Sequence, residues 1–416
     1  MKKILISLIA LTLGCLTAVC QEKIILLNEG NWQADNAKIT YFENGKIVSN
    51  QWFRDKNGYK IGDTPNDIIQ INDNLIAIAV NWSNIIQFIT PEGVAVAATE
   101  DVPNNRRLAS DGDFVYVTSY GHECGINGSY KEFEKGFVAK IDCKTFKVVD
   151  AVEVGYEPEG IALYKGHLFV ANSGGYAFQE DHEYESTVNI IDCKTMKIVK
   201  TVDTGCVNLY GGMAQSGKYL LINSAGDYYN QAGCSVLMDC EKALNGENCF
   251  KVLDVVATQS TTNREGQFLV VGSDYSFLTG GYELSYCTIT PEEAYANGSV
   301  QQSFPGTIAA DIENMKSPYS IYVNPYTGYI YATDASSYAD GGKLYQWSPE
   351  GELLGTHKVY INPGHFLALP PDGHYTGIST IQNAECRMQN YNIAGQRVGN
   401  GYKGIIIQGN KKILKK

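Results

Sequence analysis

A short apolar run that breaks into Asn, Asp, Ser and Gly recurs seven times along this chain, at intervals of about 40 to 50 residues, and predicts an all-β, seven-bladed β-propeller. A second apolar strand follows each break, so every repeat is a hairpin or more. The first repeat begins on a second strand, and the last repeat ends on a first one. One blade is therefore closed by pairing of the N- and C-terminal strands of the ring, which removes exposed sheet edges.

The seven runs are IILLNEGNW (24–32), LIAIAVNW (75–82), FVYVTSYG (114–121), LFVANSGGY (168–176), YLLINSAGDYY (219–229), FLVVGSDY (268–275) and YIYATDASSY (329–338). The strands after them are AKITYF, NIIQFI, FVAKID, TVNIID, CSVLMD, SYCTIT and GKLYQW. A further strand is clearest in FKVVDAVEV (146–154) and MKIVKTVDT (196–204), each reached through the turn IDCKT. There Asp starts the turn, Lys and Thr fill it, and apolar–polar alternation resumes. The innermost strands are announced by TPNDII (64–69), PNNRRLA (103–109), EPEGIAL (157–163), VNLYGGM (207–213), STTNREG (260–266), SPYSIYV (317–323) and NPGHFLAL (362–369). Helical periodicity is nowhere sustained.

Composition agrees. The 416 residues hold 42 Gly and 28 Tyr with only 19% charged residues, which suits a loop-rich β protein and not a disordered chain. A net charge of −12 with no long basic run argues against nucleic acid or an anionic membrane as partner. Residues 1–20 form a secretory signal, with Lys2 and Lys3 before an apolar run too short to span a bilayer. Cleavage before Gln21, with Ala18 and Cys20 at the small-residue positions, and acylation of Cys15 in the loose lipobox LTLGC are both open. The chain is thus expected to be exported, to the outer-membrane surface or the periplasm, with or without a lipid anchor.

Nine of the eleven cysteines follow the signal. Cys143 and Cys193 fall in the same place of two repeats, a blade apart, and are too far separated to pair. Cys240 and Cys249 flank one turn and form the candidate disulfide. With no CxxC spacing and no His/Cys cluster, no metal site is expected.

Along a blade, strand one runs away from the loop face and strand two returns to it. Loops leading into strand one and loops leaving strand two therefore share one rim. The second set supplies Trp32, Trp82, Tyr120, His122, Tyr176, Tyr228, Tyr229, Tyr275 and Tyr338. The first supplies Arg106, Tyr210, Arg264, Tyr319 and His365, with Asn66, Arg107, Glu157 and Glu159 beside them. Any single Tyr is accounted for by packing at a strand end. The set, lying in polar breaks, has the composition of a binding surface: flat aromatics give contact area at little entropic cost, and polar tips orient a ligand. Catalysis is not expected. Glu157 and Glu159 belong to one turn and read as solvated, not as an opposed acid pair. His122 beside Cys124 lacks an orienting third group. The acidic segment DHEYES (181–186) reads as a hydrated loop.

The stretch IDCKTFKVVDAVEVGYEPEGIALYKGHLFVANSGG (141–175) resembles the YncE-like, surface-layer-type propellers of bacterial envelopes, which carry D-x-x-T-x-K-V, G-x-x-P-x-G-I-A-L and L-F-V-A-N in this order. The likeness covers most of residues 24–369. The tail YNIAGQRVGNGYKGIIIQGNKKILKK (391–416) resembles the end of C-terminal sorting modules on exported Bacteroidetes proteins. It is shorter than a full sorting domain, so a sorting module and a vestigial tail are both open. The chain therefore divides into signal (1–20), propeller (21–370), linker (371–386) and a short C-terminal β module (387–416). Signal, propeller and tail together are most similar to Bacteroides-type envelope propellers, one branch of which (BtuG-type) captures cobalamin for a TonB-dependent transporter. That resemblance implies a large ligand, cobalamin foremost, clamped on the loop face, with no cofactor required. A glycan-binding or protein-interaction propeller is the alternative, and a propeller lyase or hydrolase stands behind both.

Overall fold

The computed structural model describes residues 22–100, 102–121, 133–178, 182–276, 281–301 and 303–371, together with four short strands of the tail. Seven antiparallel sheets follow one another along the chain. Their inner strands are Pro65–Asn72, Asn105–Ser110, Pro158–Tyr164, Met213–Ser216, Gln259–Thr262, Pro318–Val323 and Pro363–Leu369, numbered here as blades 1 to 7. Each inner strand touches the next, and the seventh touches the first, so the ring is closed. Blade 7 is completed by the chain start: Lys23–Asn28 pairs antiparallel with Pro363–Leu369, setting Ile24 opposite Ala368 and Leu26 opposite Phe366.

Six blades have four strands. Blade 5 has three, and its outer position is filled only by a bridge between Thr288 and Gln301. Burial explains the repeating pattern. Second strands such as Leu75–Val80 and Tyr219–Ser224 are buried at every residue because both faces of the blade are covered by neighbours. Outer strands such as Ala95–Thr99 and Leu353–Lys358 alternate or lie open. Seven apolar clusters result, each between adjacent blades, as where Phe88 of blade 1 meets Val115, Val117 and Phe137 of blade 2.

The IDCKT turns form as read. Asp142 Oδ1 accepts from the Lys144 and Thr145 amides at 2.8 and 2.7 Å, and Asp192 Oδ1 accepts from the Thr195 amide at 2.7 Å. Among the described residues, helices are confined to short pieces of six or seven residues between strands or blades: α1 (Trp52–Asn57), α2 (Cys240–Asn245), α3 (Pro291–Asn297) and α4 (Ile308–Glu313). The tail strands Asn390–Asn392, Arg397–Val398, Gly404–Gln408 and Lys411–Lys415 form one antiparallel sheet. The stretch read as a signal, His122 and the stretch read as a linker beyond Pro371 lie outside the described residues.

Two readings need correction. Cys240 and Cys249 are free, buried thiols. Asp239 caps α2 through the Glu241 and Lys242 amides, and both sulfurs pack among apolar residues between blades 3 and 4. Arg264 is not on the loop face. Strand one of blade 5 is Gln259–Thr262, earlier than read, so Asn263–Gly266 is its hairpin to strand two, at the opposite face. The polar run QSTT carries no apolar signal to mark it as a strand; its pairing with Phe268–Val271 is what extends it.

Candidate functional site

The loop face is built from irregular strand starts. In blades 1, 2, 3 and 6 the first residues of strand one shift register against strand two, between Pro65 and Asp67, Asn105 and Leu108, Pro158 and Ile161, and Pro318 and Ser320. In blade 7 the register also shifts, leaving Gly364 unpaired between Pro363 and His365. A bulge leaves residues outside the ladder and re-aims their side chains. Those residues are Asn66, Arg106 with Arg107, Glu159 with Gly160, Tyr319 and Gly364, and most of the site's charge comes from them.

A continuous polar network runs across four blades at this end of the ring. Tyr319 donates to Glu29 Oε2 at 2.8 Å, and Glu29 Oε1 lies 3.0 Å from His365 Nε2. His365 Nδ1 is 3.1 Å from Arg107 Nη1, whose Nε faces Glu159 Oε2 at 3.7 Å. Glu159 Oε1 takes Arg106 Nε at 2.8 Å and Nη2 at 2.6 Å, and also the Tyr120 hydroxyl. The Arg106 guanidinium stands 4.8 Å from the Tyr120 ring centre, a cation–π contact.

Glu159 is wholly buried, so it is not the solvated turn residue its sequence context suggested. Glu157 is buried too, 3.2 Å from His182 Nε2, and the His182 ring stacks on Tyr156 at 4.1 Å. Glu185 accepts the Tyr156 amide at 2.8 Å, so this part of the acidic loop is fastened down rather than merely hydrated.

The electrostatics follow from the pairing. Burial would raise the Glu29 carboxyl, but hydrogen bonds and charge from His365, Tyr319 and Arg107 hold it below its ordinary value. Burial disfavours the Arg106 cation, and Glu159 overrides it, pushing its pKa well up. Burial and the neighbouring carboxylates raise the phenols of Tyr120 and Tyr319, which stay protonated donors. Arg107 and His365 also line the central channel, a cavity of about 340 Å³ bordered by residues from all seven inner strands.

Above this charged floor lies an aromatic tier. Eight large aromatics are exposed among the described residues, and seven of them sit in loop-face connections: Trp32, Trp82, Phe178, Tyr210, Tyr228, Tyr229 and Tyr338. The eighth, Tyr59, packs on Phe53 of α1. Exposed aliphatics such as Val96, Val149 and Leu354 belong instead to the outermost strands. Trp32 of blade 7 meets Trp82 of blade 1 edge-on at 5.0 Å, Tyr120 meets Tyr176 at 5.4 Å, and Tyr319 meets Tyr338 at 6.0 Å. Polar links join the pairs. Asn31 Nδ2 donates to the Tyr338 carbonyl at 2.8 Å, Asn81 to Asn104 at 2.6 Å, and Asn104 to the Tyr176 hydroxyl at 3.4 Å.

Most of the nominated residues therefore share one face. Trp32, Trp82, Tyr210, Tyr228, Tyr229 and Tyr338 are exposed on it. Arg106, Tyr176, Tyr319 and His365 are half-buried in its floor, and Tyr120 is buried there. Tyr228 and Tyr338 hold positive φ values of 63° and 61°. The Tyr228 loop is pinned by Asp227, whose Oδ1 accepts the Tyr229, Asn230 and Gln231 amides at 2.9, 2.7 and 2.8 Å. Tyr275 belongs to strand two of blade 5, Phe268–Ser276, through its backbone; its side chain lies outside the described residues. Arg264 lines a separate cleft of about 430 Å³ with Phe304, Gly328 and Pro349. Glu29 and Phe178 were missed. Glu29 follows Asn28 directly after an apolar run, and a carboxylate at that place is the signal that could have found it.

No family model matches the chain, nor does the sequence of any curated protein. Solved structures do share its shape. Hydrazine synthase of Kuenenia stuttgartiensis aligns at 15% identity with a TM-score of 0.54, over 74% of this chain and 90% of that one. A quinonprotein alcohol dehydrogenase-like protein of Bacteroides thetaiotaomicron aligns at 12% identity with a TM-score of 0.53, over 82% and 77%. At such identities the likeness is one of fold: this chain is a seven-bladed β-propeller.

Proposed function

We propose that this propeller is a non-enzymatic ligand-capturing protein of the cell envelope, of the YncE-like type, that holds a large, rigid small molecule across its loop face. Cobalamin is the best single candidate, with delivery to a TonB-dependent transporter. One observation carries the reading: among the described residues, seven of the eight exposed aromatics gather on one face of the ring, around a fixed floor of Arg, Glu, His and Tyr. Exposed aromatics clustered in this way cost solvation without serving the core, and they suit a partner that covers them. A corrin is broad and rigid, which lowers its ordering cost, and its fringe of amides matches the donors and acceptors of the floor.

Isothermal titration with cyanocobalamin and cobinamide tests the ligand. Saturable heat at micromolar protein supports it, and no heat from either removes cobalamin. A glycan is the second reading, supported by the open ring faces of Trp32 and Tyr229, which are 64% and 89% exposed. Binding of oligosaccharide in place of corrinoid would establish it. Turnover lost on changing His365 would instead make the protein an enzyme.

A further inference from the structure

Cys206 lies in the connection from blade 3 to strand one of blade 4, four residues before Tyr210. Cys234 opens strand three of the same blade, directly after the loop that carries Tyr228 and Tyr229. Although 28 positions apart in sequence, the two meet around one serine. Ser224 is the cross-strand partner of Cys234, and its hydroxyl donates to the carbonyl of Val207, next to Cys206, at 2.6 Å. The Cys206 and Cys234 thiols are near enough to shift each other's ionisation, and Ser224 acts on the Cys234 thiol as well. Thr204 fixes the backbone on the other side: its Oγ1 accepts the Cys206 amide at 3.2 Å. Both residues are half-buried, unlike the buried Cys193, Cys240, Cys249 and Cys287.

We propose that Cys206 and Cys234 form a redox-controlled disulfide that staples the Tyr210 connection to the base of the Tyr228–Tyr229 loop. The chemistry is thiol–disulfide exchange with a small disulfide oxidant. The Cys234 thiolate attacks one oxidant sulfur, forming a mixed disulfide and releasing one thiolate. Cys206 loses its proton to solvent, attacks the Cys234 sulfur and expels the second. The two protein thiols give up two electrons and two protons, and the oxidant disulfide is reduced to two thiols. Cys234 is suited to the first attack, because the neighbouring Cys206 holds its pKa below the ordinary thiol value. The link ties together two connections that both present exposed tyrosines. It does not depend on which ligand those tyrosines meet.

The test equilibrates the purified, folded protein with mixed reduced and oxidised glutathione, blocks free thiols by alkylation, and maps peptides without reduction. The expected result is a peptide pair joining Cys206 to Cys234, with Cys240, Cys249 and Cys287 left as thiols. Cys206→Ser should retain glutathione on Cys234, the trapped mixed disulfide, and Cys234→Ser should retain none on Cys206. Alkylation of both residues in the wild-type protein would overturn the proposal. So would a link from either of them to another cysteine.

Discussion

The two faces of the ring are made by the same repeats, yet they differ in what their turns can do. On the face opposite the loops, short helices fill the connection between strands three and four of blade 4 and follow strand three of blade 5, while many of the other strand connections are tight hairpins. Local caps close them: Asp142 and Asp192 on backbone amides, and Asn263 on the Gln267 amide at 2.8 Å. Such turns spend their polar groups on their own backbone. On the loop face the connections are longer, their starts are bulged, and their side chains reach across blades. Glu29 of blade 7 thereby meets Tyr319 of blade 6, and Arg106 of blade 2 meets Glu159 of blade 3. Among the described residues, seven of the eight exposed aromatics sit on this face.

The largest way to break this asymmetry is at its charged floor. Glu159→Gln leaves the half-buried Arg106 and Arg107 without their buried carboxylate, and should cost about 3 kcal/mol of stability by chemical denaturation. An unchanged midpoint would show the network to be incidental.

Gly364 is the next point of strain. A methyl group there would come within 2.3 Å of Glu29 Oε1 and 3.2 Å of the Tyr319 ring. Gly364→Ala should therefore displace Glu29 and cost about 1–3 kcal/mol. Gly166→Ala is no control, since its φ of 73° strains any side chain. Gly212→Ala, where a methyl group meets nothing within 4 Å, should cost less and gives the comparison.

The aromatic tier sharpens the contrast through binding. Replacing Tyr228 and Tyr229 together by Ala should weaken ligand binding at least tenfold, about 1.4 kcal/mol, with thermal stability little changed. Arg264→Ala, on the other face, should leave affinity as it was. Equal losses from both would spread the site over the whole ring.

The smallest effect is acid dependence. Because the folded Glu29 carboxyl lies below its ordinary value, its ionised form stabilises the fold above the unfolded carboxyl range. That contribution fades as pH falls through the lower, folded value. Glu29→Gln should flatten this part of the stability–pH curve, and an unchanged slope below about pH 4.5 would remove Glu29 from the account.

The sequence carried the fold far more legibly than the floor. Both faces of a second strand are covered in a propeller, so LIAIAV, and FVYV at the start of FVYVTS, appear as unbroken apolar runs that any reader can count. The closing pair Ile24 and Ala368 could be foreseen because the count of first and second strands left one of each at the chain ends. Strand one of blade 5 failed because QSTT has no apolar residue, and the error carried Arg264 to the wrong face. Glu157 and Glu159 were misjudged for another reason. Their burial depends on Arg106 and His182, which sit 53 and 25 positions away in sequence, and spacing says nothing about such pairs. The Cys240–Cys249 reading rested on closeness along the chain, which does not make two sulfurs face each other.

Hydrogen exchange read by mass spectrometry, with and without saturating cyanocobalamin, addresses the loop face most directly. Slowed exchange in residues 29–36, 81–84, 225–233 and 335–341, with the hairpin at 263–266 unaffected, is the result expected. Protection centred on that hairpin, or none anywhere at a concentration where heat is evolved, would contradict the assignment of binding to this face.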